Sequence, residues 1–149
     1  MTSTQCQFKK MYFEVEGEVI GKGRPRFTRQ GRTYTPKRTL DYERAIKRAY
    51  ISKYLYLSKK SLRIKICAYL EVAGSHSKVK KSKMLMNLLQ CTKKPDVDNI
   101  VKVVLDALNK VAYQDDTQVV ELVAIKRWSN TSKLKIVIEE IGETMNSKI

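Results

Sequence analysis

Apolar and polar residues alternate most cleanly from Leu62 to Val72. There Leu62, Ile64, Ile66, Ala68, Leu70 and Val72 point one way, and Arg63, Lys65, Cys67, Tyr69 and Glu71 point the other. A period of two is that of a strand with one face in a core, so this stretch is expected at the centre of a sheet. Met11 to Ile20 carries the same signal, with Phe13, Val15 and Val19 set against Glu14, Glu16 and Glu18. Those glutamates read as a solvated strand face rather than as metal ligands. Two more strands are expected at Gln118 to Lys126 and Lys133 to Glu140. The turn-forming residues of WSNTS between them predict an antiparallel hairpin.

Helical spacing appears in three places. From Thr39 to Leu57 the stripe is Tyr42, Ile46, Ala49, Tyr50, Tyr54 and Leu57, with Arg44, Lys47 and Arg48 opposite. Met84 to Leu89 reads as a short helix packing through Leu85, Leu88 and Leu89. Beyond Pro95, the residues Val97, Ile100, Val101, Val104, Leu105, Leu108, Val111 and Ala112 recur as a buried face, while Asp98, Lys102 and Asp106 follow one another on the other side. These elements predict an α+β fold, a two-layer sandwich in which a mixed, mostly antiparallel sheet packs against helices. With 149 residues, no repeat and no linker, residues 1–149 are expected to form one domain, with 1–10 and 143–149 as loose ends.

Charge narrows the functional classes. Thirty Lys and Arg against 15 Asp and Glu give +15, spread from Lys9 to Lys148, and such a surface attracts polyanions, nucleic acid above all. A basic protein with no nucleic-acid role is the bland alternative. Gly21 to Arg38, GKGRPRFTRQGRTYTPKR, has no apolar period and reads as a long loop. Lys22, Arg24, Arg26, Arg29 and Arg32 there are candidate contacts to a DNA backbone, with Phe27 and Tyr34 able to stack on unpaired bases. Lys93 and Lys94 add positive charge just ahead of Pro95. G-K-G-R lacks the spacing of a nucleotide-binding P-loop. Cys6, Cys67 and Cys91 form no C-x-x-C pair, and His76 is the sole histidine, so zinc ribbons, disulfide scaffolds and histidine triads lack material. No membrane span or signal peptide is visible, and a reducing cytoplasm is the expected location.

Against this basic background, Asp96, Asp98, Asp106, Asp115 and Asp116 crowd into one stretch. Read singly, they are helix caps and turn residues. If they share a pocket, like charges need a counter-charge, which a hard divalent cation supplies: Mg²⁺, with Mn²⁺ as the alternative. Lys102 would then face the phosphate. For Asp116 to reach Asp96 and Asp98, the strand after the helix must run back beside it.

PDVDNIVKVVLDALNKVAYQDDTQV resembles the signature of the RusA family of Holliday junction resolvases, a D-x-D-N-x-x-K segment, an L/F-D-A-L continuation and a D-D-x-Q-V ending. The matches are Asp96, Asp98, Asn99 and Lys102, then Leu105 to Leu108, then Asp115, Asp116, Gln118 and Val119. Upstream, GKGRPRFTRQGRTYTP is similar to the form found in phages and prophages of Gram-positive bacteria, and the likeness extends from Val19 to Glu140. The resemblance implies a crossover junction endodeoxyribonuclease acting in DNA recombination and repair. It implies metal ligands at Asp96, Asp98 and Asp116, with Asp115 as the alternative, and an essential lysine at Lys102. It also implies branched DNA, a four-way junction, as substrate, and a homodimer that makes paired nicks. A nuclease of flaps or single strands fits the same chemistry, and a non-catalytic DNA-binding module fits the charge alone.

Overall fold

The computed structural model of the chain describes residues 7–142. Four strands form its main sheet: β1 (Lys10–Glu16), β4 (Ser61–Glu71), β5 (Val119–Ser129) and β6 (Lys133–Ile141), in the order β1-β6-β4-β5. Two-residue strands β2 (Arg26–Phe27) and β3 (Thr33–Tyr34) pair separately. Helices α1 (Lys37–Ile51), α2 (Lys78–Leu85) and α3 (Val97–Leu108) complete the fold, which is the expected α+β arrangement of a mixed sheet against helices.

β4 is internal, as its alternation predicts. Leu62, Ile64, Ile66, Ala68 and Leu70 are all buried, whereas Arg63 and Lys65 on the other face are exposed. Full burial of one such side chain contributes about 1.5–3 kcal/mol, enough to specify which face turns inward. β6 lies antiparallel on one side of β4, with Ile66 opposite Ile136, and β5 lies parallel on the other, with Ile66 opposite Ala124. The expected β5–β6 hairpin therefore does not form as a paired unit. The chain does reverse between Ser129 and Lys133, but β4 sits between the two strands and pairs with both. Its two hydrogen-bonding edges and continuous apolar face outcompete direct pairing of the neighbours.

α1 buries Thr39, Tyr42, Ile46 and Tyr50 and stops at Ile51, short of the expected Leu57. Ser52 ends it by donating from Oγ to the Ala49 carbonyl at 2.8 Å. Tyr54 lies beyond the helix, accepting from the Tyr12 N–H at 3.0 Å and donating to the Tyr12 carbonyl at 3.1 Å. The helix expected at Met84 to Leu89 lies earlier. Ser77 caps Lys78–Leu85 by accepting from the Lys80 N–H, and Met84 alone of that helix is buried, while Leu88 and Leu89 are exposed. The expected opening strand begins at Lys10, and Lys9 donates its N–H to the Glu140 carboxylate, so Lys9 and Lys10, expected in the loose leader, are tied to the sheet. Residues 1–6 and 143–149, expected to be loose, lie outside the described residues, as does Cys6; Cys67 and Cys91 are free thiols.

Glu140 is a carboxylate on the buried face of β6, 4 % exposed. It accepts from the Lys9 N–H at 2.9 Å, Tyr56 at 2.8 Å and Ser58 at 2.5 Å, with Lys60 at 3.9 Å. These donors join the chain's beginning, the segment after α1 and the last strand. No helix among the described residues is long and apolar enough to cross a membrane.

Candidate active site

α3 carries the acidic residues, and its phase on the sheet decides where they point. Ile100, Val103, Val104, Ala107 and Leu108 are buried, the spacing of one helical face. Val103 and Ala107 belong to that face in place of Val97, Val101 and Leu105, and the helix ends at Leu108, so Val111 and Ala112 follow it. Val97 is left 40 % exposed, with Val101 and Leu105 half-buried, as a strip alongside Asp98, Lys102 and Asp106.

At the start of α3, Asp96 is the N-cap and Asp98 lies in the first turn, both exposed. Carboxylates there are favoured by the unpaired N–H groups and by the helix dipole. Gly21 packs directly on this turn: a Cβ at Gly21 would come 2.9 Å from Pro95 Cβ and 2.9 Å from Asn99 Cβ, and the Lys22 N–H donates to the Asn99 carbonyl at 2.8 Å. Asp96, Asn99, Lys94, Arg24 and Arg38 line a cleft of about 490 Å³. It adjoins a second hollow of about 570 Å³ that shares Lys94 and adds Lys93, Thr131 and Ser132.

The second acidic group sits at the other end of α3. Asp106 lies in its last turn, and Asp115 and Asp116 lead the 3-10 turn Asp116–Gln118 into β5. Asp116 is raised above the usual carboxylate range, first by its hydrogen bond with Asp115, then by partial desolvation and by the charges of Asp115 and Asp106. Asp115 is lowered, first by the same bond from Asp116 and then by Thr117. This is the response of crowded anions that a cation would relieve.

The expected convergence of Asp116 on Asp96 and Asp98 within one chain does not occur. Among the described residues, no three His, Cys, Asp or Glu side chains stand close enough to hold a metal ion. The reason lies in the chain path. β5 does run back along α3, but Asp116 is at the beginning of that return, and the residues delivered to the Asp96 end are those late in β5. Lys126 Nζ accordingly donates to the carbonyls of Lys93 at 2.7 Å and Pro95 at 3.2 Å. Asp98 and Asp106 are eight residues apart, about 12 Å along a helix.

Residues 16–139 match the family described as "Endodeoxyribonuclease RusA". The chain belongs to the RusA endodeoxyribonuclease family. It is also 35 % identical over 136 residues to "Uncharacterized protein YqaN" of Bacillus subtilis (strain 168), a likeness covering 87 % of this chain and 96 % of that one.

The basic residues of this chain divide into two groups. Arg24, Arg26, Arg29 and Arg32 are exposed on or beside the β2–β3 arm, together with Phe27 and Tyr34; Lys93, Lys94 and Lys102 are exposed as well. The stretch read as a long loop thus contains a short paired arm, closed by the Thr28 N–H donating to the Arg32 carbonyl at 2.7 Å. Lys22, read from sequence as a DNA contact, is engaged within the chain: its ammonium bridges Glu43 at 2.5 Å and Asp106 at 3.0 Å. Burial alone would lower the Lys22 pKa, but hydrogen bonds to Glu43 and Asp106 outweigh it and raise the value. Lys22 is therefore a strut between α1 and α3, and Glu43 is a part of the site's scaffold that the sequence did not single out.

Gln118 and Tyr113 were also missed as supports. The Gln118 carboxamide accepts from the N–H groups of Gln114 at 2.8 Å and Asp115 at 3.0 Å, and donates to the carbonyls of Ser58 at 3.0 Å and Lys60 at 2.9 Å. Tyr113, fully buried under the acidic turn, donates to the Leu105 carbonyl at 2.7 Å. The signal for Gln118 was its place in the D-D-x-Q-V ending. Replacing Gln118 with Ala is expected to cost about 1–2 kcal/mol of stability and to lower cleavage about ten-fold or more, because the carboxylates lose their fixed position. Thermal denaturation beside initial cleavage rates checks both halves.

Proposed function

We propose that the protein is a Mg²⁺-dependent endonuclease that resolves four-way DNA junctions, with Asp96, Asp98 and Asp116 as metal ligands and Lys102 as the residue facing the scissile phosphate. The observation that carries this reading is a family match over residues 16–139 that contains both acidic groups in order. One chain presents an incomplete set, since among the described residues no three carboxylates at either end of α3 stand close enough to hold a metal ion together. Each end still retains what Mg²⁺ takes when water and phosphate oxygens supply the remaining positions, one or two carboxylates. When bound, the ion would acidify a coordinated water and offset charge on the phosphate.

A second copy of the chain can complete the set. If two α3 helices lie antiparallel across a two-fold axis, the Asp98 end of one meets the Asp116 end of the other, and two equivalent sites result. Val97, Val101 and Leu105 on α3, with Val120 and Leu122 at the start of the edge strand β5, supply an apolar strip for that contact; Val120 is 60 % exposed and Leu122 41 %. An exposed apolar edge strand is a surface that monomers ordinarily blunt. Two sites around a two-fold axis suit a substrate that must be nicked on two opposed strands. Either monomer would contribute Lys102 midway between its acidic ends.

Exposed Arg24, Arg26, Arg29 and Arg32 would grip phosphates, while Phe27 and Tyr34 offer rings to bases where strands part. Four-way junctions, flaps and linear duplex of matched sequence separate the candidate substrates. The reading predicts paired, Mg²⁺-dependent cuts in the four-way junction at rates far above those for linear duplex. Equal cutting of flaps would reassign the protein as a broader branched-DNA nuclease, and no cutting of any DNA would reduce it to a binding module.

A further inference from the structure

Trp128, late in β5, comes to the Asp96 end of α3 with Lys126. A cavity of about 380 Å³ opens there, lined by His76, Lys80, Met84, Leu89, Lys93 and Trp128. That volume lies at the small end of the roughly 300–1,000 Å³ typical of small-ligand pockets. Its chemistry is divided. Met84 is 3 % exposed and, with Leu89 and the indole of Trp128, gives apolar, polarisable walls suited to a flat ring. Lys80 and Lys93 bring two positive charges to its lining, and Gln90 and Thr92 add side chains able both to donate and to accept. The indole N–H of Trp128 is buried with no acceptor among the described residues. That N–H is closed off from solvent, so it is the rest of the half-buried indole that a ligand in the cavity meets.

We propose that this cavity is a nucleobase subsite, which takes one unstacked base of the bound DNA strand close to the phosphate that is cut. The inference rests on the nuclease reading and adds to it the place where a base is held. Lys93 connects the two regions: it lines this cavity and also the hollow that adjoins the Asp96 cleft. From Lys93 to Asp96 the backbone spans at most about 11 Å, a length that about one or two nucleotides of an extended strand would cover. A ring laid on the indole gains stacking, with Met84 and Leu89 beside it, and the flanking phosphates gain Lys80 and Lys93 as counter-charges. A base can enter such a cavity once it has left its stack, which is least costly where strands already part.

The chain contains one tryptophan, so fluorescence near 128 reports this cavity alone. The full chain carrying Asp98→Asn, which should bind without cutting, is titrated with a four-way junction and with matched junctions bearing a single abasic residue at successive positions around the cut. Saturating intact junction is expected to quench Trp128, and one abasic position is expected to remove the quenching and weaken binding roughly ten-fold. In cleavage assays with Asp98 intact, Trp128→Leu should act equally on intact and abasic junctions, its fold being checked by circular dichroism. Should that variant misfold, the fluorescence titration still decides. Saturable binding with no quenching, or equal quenching by every abasic junction, would overturn the subsite while leaving the nuclease reading in place. Failure to bind any junction would overturn both.

Discussion

Asp98→Asn is expected to lower junction cleavage by about a hundred- to a thousand-fold while leaving junction affinity within a few-fold of the unchanged chain. The substitution removes one negative charge from the exposed first turn of α3 and keeps the side chain's shape. Helix stability should change little, because an Asn next to the N-terminus still suits the unpaired N–H groups there. A carboxylate beside a phosphate repels it unless a cation intervenes. Loss of cleavage without loss of binding would therefore mark Asp98 as part of the cation's site. Affinity measured by gel shift without divalent ions, together with initial rates in Mg²⁺, gives the two numbers. A modest loss of rate would show that Asp98 is a helix-end residue and nothing more.

Glu140→Ala is expected to destabilise the fold by about 3 kcal/mol, the largest effect on stability of the changes considered. Truncation leaves the buried Ser58 hydroxyl, the half-buried Tyr56 hydroxyl and the Lys9 N–H without their shared acceptor; a buried unpaired donor costs about 1–3 kcal/mol, and the two nearer the surface add less because water reaches them. Burial by itself raises the Glu140 pKa, but hydrogen bonds from Ser58, Lys9 and Tyr56 and the charge of Lys60 outweigh it, so the value falls below the ordinary 4.5. A carboxyl group depressed in the folded state stabilises the fold fully above its unfolded pKa. That contribution is lost as pH falls through the lower folded value. Wild-type stability should accordingly decline in acid from about pH 4.5 downward, and Glu140→Gln should lack that part of the slope. Urea denaturation at pH 7 and in mild acid measures both effects; identical slopes would show that Glu140 carries no linked proton.

The sheet was legible in the sequence where one face is apolar and the other charged. β4 is the clearest case, because Ile64, Ile66 and Ala68 alternate with Arg63, Lys65 and Cys67 and leave one possible inward face. α3 was legible as a helix but not in its rotation. VDNIVKVVLDAL carries apolar residues around more than half its circumference, so periodicity alone did not choose Val103 and Ala107 over Val101 and Leu105. The reversal at Asn130 was legible, whereas the insertion of β4 between β5 and β6 was not, since turn residues mark a change of direction and say nothing of the strand that comes between. Lys22 illustrates a further limit. A lysine in a basic loop reads as a ligand contact until the fold brings Glu43 and Asp106 to it from elsewhere in the chain.

The acidic motif was legible as a set of residues, and its spatial grouping was not. Five aspartates within one helix and its following turn suggested a single cage, yet the helix holds its ends apart and the chain returns with Lys126 and Trp128 rather than with Asp116. The proposed sharing of a site between two protomers answers that separation, and it can be tested without knowing the interface in detail. Mixing the separately inactive Asp98→Asn and Asp116→Asn proteins under conditions that exchange subunits is the direct measurement. If sites are shared, each mixed dimer contains one intact site, and nicking of a four-way junction should return to roughly a quarter of the wild-type level. If the mixture stays as inactive as either parent although mixed dimers have formed, the carboxylates act within single chains and no site is shared.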